Sequence, residues 1–115
     1  MAAADAGFDY AAALAQADAE VVAIIAEDFL PCARDDLAQM QAAATSGDLA
    51  TLGRLAHTYK GLAGNFGARP LQEAAKALQD ACARNAFDAA LLATMERELQ
   101  ALCAALTAYL AQGRG

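Results

Sequence analysis

Four stretches of this chain repeat their apolar residues at intervals of three and four, with only short breaks between them. That interval lines one face of an α-helix and does not fit the two-residue period of a half-buried strand. At Ser46-Gly47-Asp48 a glycine closes one helix and an aspartate caps the next. At Asn65-Phe66-Gly67 the second glycine supplies a left-handed terminus, and Pro70 suits the first turn of the helix that follows. Asn85 stops that helix and Asp88 caps the last one. The chain is therefore predicted to be all-α, with main helices from Ala19 to about Ala44, Leu49 to about Phe66, Pro70 to Asn85, and Asp88 to about Gln112. Asp18 is the predicted cap of the first. Short connections favour antiparallel neighbours, hence an up-down-up-down four-helix bundle. A short helical segment from Phe8 to Gln16 precedes it, with Phe8 and Leu14 docking on the bundle. Residues 1–7 and 113–115 read as frayed tails.

The apolar stripes assign a core. The first long helix contributes Val21, Val22, Ile25, Phe29, Cys32, Leu37 and Met40, whose spacing slips around Pro31. Proline removes a backbone donor and crowds the preceding turn, so a kink near Glu27–Pro31, or two stacked helices, is predicted. Leu71, Ala74, Ala75, Leu78, Ala81 and Cys82 line the third helix. Leu91, Leu92, Met95, Leu99, Leu102, Cys103, Leu106 and Leu110 line the fourth. The three cysteines are odd in number and widely spaced, which predicts buried thiols rather than a disulfide framework or a metal site.

Fourteen acidic against eight basic residues give a net charge of −6. That balance disfavours nucleic acid as a partner. No apolar run approaches the roughly 20 residues that span a bilayer, and the N-terminus lacks the positive segment of a signal peptide. A single cytoplasmic domain, acting as a monomer and away from the membrane, is expected.

The chain holds one histidine, His57. At about 100° per residue, Leu52, Leu55, Ala56, Tyr59, Leu62, Ala63 and Phe66 gather in one arc. His57 falls nearly opposite the middle of that arc and should face solvent. Gly53, Gly61 and Gly64 surround it, each costing a helix about 0.5–1 kcal/mol relative to alanine. A steric reason is expected: they clear an apron through which another protein approaches the ring. Lys60 brings a cation one turn on. A surface histidine beside a lysine is usually incidental, and a metal site would want a second histidine or clustered carboxylates.

The full string His57-x-x-Lys60-Gly61-x-x-Gly64-x-x-Gly67 resembles the phosphorylation-site helix of histidine-containing phosphotransfer (HPt) domains, the phosphocarriers of two-component phosphorelays. The likeness extends through Leu71 and the following helix, and the helical layout agrees over nearly the whole chain. It implies a phosphoryl group carried on His57 and exchanged with the aspartate of a receiver domain, with an upstream sensor histidine kinase as ultimate donor. It also implies that Gln79 stands beside the histidine, where the phosphotransfer domains of chemotaxis kinases typically have glutamate. That difference favours a relay carrier over a chemotaxis-kinase domain; a phosphorylatable domain excised from a hybrid or chemotaxis-type kinase is the second reading, and a purely structural adaptor the third. The chain shows no Gly-rich phosphate loop and no magnesium-binding carboxylate cluster, so it is expected to be a carrier rather than an enzyme. Mg²⁺ is then expected in the receiver.

A neutral imidazole is a nucleophile near physiological pH, but only one of its nitrogens can face a partner while the other is held. Lys60 and Lys76 are the candidate cations. A lysine about 4 Å from a phosphoryl oxygen contributes about 1 kcal/mol in water and about 4 where solvent is excluded. Lys76 reads equally well as a solvated surface lysine, and Arg69 and Arg84 as ordinary surface charges. Asn65 reads either as a helix cap or as a neighbour of the site.

Overall fold

Acidic side chains mark where the helices begin. Asp9 accepts a hydrogen bond from the amide of Ala12, Asp18 from those of Glu20 and Val21, and Asp48 from that of Thr51; Asp88 accepts one from Ala90. Each satisfies an amide that the first turn leaves free. The computed structural model describes residues 8–113. Among them are five helices and no strand: α1 (Tyr10–Gln16), α2 (Ala19–Ser46), α3 (Leu49–Asn65), α4 (Arg69–Ala83) and α5 (Ala89–Gly113). Only α4 begins without a side-chain cap, and it has proline in its first turn instead. The predicted tails at 1–7 and 114–115 lie outside the described residues, while Gly113 ends α5.

The connections between the long helices share one closure. A left-handed residue follows each helix: Gly47 (φ 78°), Gly67 (φ 65°) and Asn85 (φ 55°). The next amide then returns to a carbonyl five residues back, Asp48 to Ala43 (2.8 Å), Ala68 to Ala63 (2.9 Å) and Ala86 to Ala81 (2.8 Å). These bonds satisfy carbonyls that a helix end leaves free. Reversed at each tight turn, α2 to α5 pack as an antiparallel ring in chain order, with α3 on α4 the most extensive contact. α1 lies across α5 and α2, tied by a hydrogen bond of 2.7 Å from the Tyr10 hydroxyl to the buried Glu98 carboxylate.

Leu52, Tyr59, Phe66, Leu71, Leu78, Met95, Leu99, Leu102 and Leu106 fill the interior. Phe29 meets Tyr59 and Phe66 edge-on, with centroids 5.8 and 5.2 Å apart. The Tyr59 hydroxyl donates to Asp36 at 2.6 Å. Burial, then that bond, pushes its phenol well above the usual tyrosine range, so it stays a donor.

The structure corrects the reading of α2 in two respects: it is one helix rather than two stacked ones, and its apolar stripe is differently placed. The helix runs unbroken through Pro31. Its buried residues are Val22, Ala26, Phe29, Ala33, Met40 and Ala43, which step by threes and fours apart from one double step of seven, spanned by the half-buried Asp36 and Leu37. The apparent slip came from counting large apolar residues and passing over alanines. Val21 and Ile24 stay 43% and 71% exposed, and Cys32 is exposed. Pro31 and Glu27 are exposed as well, so the carbonyl left without its amide partner faces water and the ring projects away from the core. Of the thiols, Cys82 is buried and Cys103 half-buried.

Candidate functional site

The buried arc of α3, Leu52, Leu55, Ala56, Tyr59 and Ala63, fixes the rotation of that helix and leaves His57 exposed on its outer side. Leu71, Ala75 and Leu78 anchor the antiparallel α4 in the same core. Along the seam between the two helices, Gln79 comes opposite His57, with its Nε2 3.0 Å from Nδ1 of the ring. Nδ1 is therefore held and Nε2 is the nitrogen left for a partner. An amide serves either tautomer: its nitrogen donates to a bare Nδ1, and after a half-turn its oxygen accepts from Nδ1–H. A carboxylate in its place would only accept.

The three glycines divide. A Cβ at Gly61 would meet nothing within 4 Å, and one at Gly64 would meet only the end of the Gln72 side chain, at 3.2 Å. Both positions are exposed. A Cβ at Gly53 would lie 3.2 Å from Cβ of Cys82 on α4. The open-apron reasoning therefore fails for Gly53, whose first role is to let α3 and α4 close together. We predict opposite responses in thermal melts. Gly61→Ala should stabilise by about 0.5–1 kcal/mol, as the better helix former in open space. Gly53→Leu should destabilise by about 1–3 kcal/mol through overpacking. Equal responses would put both glycines in one class.

Lys60 is half-buried on α3. Lys76 is not a free cation: its Nζ pairs with Asp80 at 2.9 Å, one turn along α4. The Lys76 hydrogen bond, with further help from the charges of Lys76, Arg84 and Lys60, holds Asp80 below the usual carboxylate range. Asn65 faces a recess shared with Ala13, Gln16 and Ala17, beside α1 rather than beside His57. Arg69 lies over the Phe8 ring, 5.6 Å from its centroid. His57 itself forms one wall of an open cleft of about 600 Å³, with Gly53, Arg54, Gln79 and Cys82 among the other walls.

A second surface escaped the sequence reading. Ile24, Ile25, Asp28, Thr58 and Leu62 line a groove of about 420 Å³ between α2 and α3, on the side of His57 away from Gln79. The signal was present in Val21-Val22-Ala23-Ile24-Ile25, five consecutive apolar residues where one helix face buries only two or three.

No helix among the described residues is long and apolar enough to cross a membrane. A family model described as the Hpt domain matches residues 25–112. Searches of the curated proteins and of the solved structures return no significant match. The matched span covers most of α2, all of α3 and α4, and nearly all of α5. The all-helical bundle and the match over most of its length agree: the chain belongs to the Hpt domain family, the histidine phosphocarriers of two-component phosphorelays.

Proposed function

We propose that this chain carries a phosphoryl group on Nε2 of His57 and exchanges it with the aspartate of a receiver domain. The observation that carries the reading is the exposed imidazole whose Nδ1 is held by Gln79. In the reactive tautomer Nδ1 keeps its proton, the Gln79 amide oxygen accepts it, and Nε2 holds the lone pair. That lone pair attacks phosphorus, the bond from phosphorus to the aspartyl oxygen breaks, and the receiver's carboxylate leaves with the bonding electrons. The ring then carries both the phosphoryl group and the Nδ1 proton. The reverse path returns the group to a receiver.

Phosphoryl transfer depends on alignment and charge neutralisation. Gln79 aligns the ring, Lys60 supplies a cation on the seam side, and the receiver brings Mg²⁺. Open space at Gly61, and at Gly64 an exposed backbone bordered by the movable end of Gln72, admit the partner, and the apolar groove beside Ile24 gives it surface to cover. The upstream donor is a sensor histidine kinase, which places the chain in the cytoplasm with ATP. The amide at Gln79 favours a relay carrier over a chemotaxis-kinase domain. The test is to mix the protein with a phosphorylated receiver domain and map the acid-labile label by mass spectrometry. Label on His57 is expected; label confined to any other residue would sink the assignment.

A further inference from the structure

We propose that Asp80 is a positioning residue that occupies Lys76 and so weakens the hold of His57 on its phosphoryl group. The inference rests on the carrier role proposed for His57 and adds a control on how readily the group is passed on. Three observations converge on Asp80. It follows Gln79, the residue that holds the imidazole. Its carboxylate takes the Lys76 ammonium at 2.9 Å. It also lies within the fields of Arg84, from its own helix, and of Lys60, from α3 across the seam. Lys76 stands one turn before Gln79 on the same helix, so without Asp80 its charge would be free to turn toward a phosphoryl group on His57. With Asp80 present, that charge is already matched.

A phosphocarrier works both ways only if it does not bind the group too well. Full neutralisation by Lys60 and Lys76 together would deepen the phosphohistidine state. A carboxylate on one of the two lysines keeps it shallow. Lys76 and Asp80 are both exposed, at 64% and 52%, so the effect is modest and screened by salt.

The probe is phosphoramidate, which passes its phosphoryl group to the imidazole and releases ammonia. The readout is the second ionisation of the attached phosphoryl group, followed by ³¹P NMR titration, which reports the local field directly. In Asp80→Asn that ionisation should fall by about 0.3–0.7 of a unit at low salt, a two- to fivefold change, and the difference should shrink in strong salt. Asp80→Glu, which preserves the pairing, should match the wild type. Removing Lys76 should raise the ionisation more in the Asp80→Asn background than in the wild type, because only there is the lysine unmatched. A labelled wild type with an unchanged Asp80→Asn, or an Asp80→Asn shift that survives undiminished without Lys76, would overturn the inference alone. A wild type that takes no phosphoryl group on His57 from either phosphoramidate or a receiver would overturn the carrier reading beneath it.

Discussion

Replacing His57 with glutamine should abolish phosphoryl acceptance while leaving the bundle intact. The chain has no second histidine to take over. Glutamine is polar, suits a helix, and offers no nucleophilic nitrogen at neutral pH. His57 is exposed, and among the described residues its ring makes one hydrogen bond, with Gln79, so the melting curve should move by less than about 1 kcal/mol of stability. Transfer from a phosphorylated receiver, measured as acid-labile label on the intact protein, should fall at least about 100-fold, beyond the loss of a single orienting group. Label retained at the wild-type level in a folded His57→Gln would end the assignment. Loss of label together with loss of helicity would call for His57→Asn and a repeat.

The largest effect on stability is expected at Phe66→Ala. Phe66 is fully buried, closes the C-terminus of α3, and meets Phe29 edge-on at 5.2 Å. Truncating a buried phenylalanine costs about 3–5 kcal/mol, from lost transfer energy and from the cavity left behind. For a domain of this size that lowers the melting temperature by roughly 10–20 °C. His57 sits more than two turns away on the same helix, so transfer per folded molecule should survive in the cold. A fall of less than about 3 °C would show that the aromatic cluster of Phe29, Tyr59 and Phe66 is not the centre of the core.

What the sequence revealed was what nearest neighbours decide. Asp18, Gly47, Asp48, Gly67, Asn85 and Asp88 mark helix ends through bonds to residues a few positions away, and all six stand at the predicted ends. The outward direction of His57 follows from the period of α3 alone. What stayed hidden depends on a second helix. Gly53 and Gly61 are alike in one dimension, and only the position of Cys82 separates them. The pairing of Lys76 with Asp80 is the exception: it lies within one helix, at a spacing of four that the sequence itself displays, and the reading of Lys76 as a site cation or a solvated lysine passed over it. Nothing local shows that Glu98 is buried, since the tyrosine that meets its carboxylate lies 88 residues earlier. In α2 the alanines hid the core: a small residue at a close crossing is as buried as a leucine, but carries no signal of its own.

The close approach of Gly53 and Cys82 has a consequence for how this protein can change over generations. The two Cβ positions would lie 3.2 Å apart, and every residue except glycine carries a Cβ, so trimming position 82 to alanine makes no room at position 53. A side chain at 53 can be accepted only with glycine at 82 or with a wider seam, and the seam also holds Gln79 against His57. The constraint on position 53 is thus set by the backbone spacing of α3 and α4 and outlasts most changes at position 82.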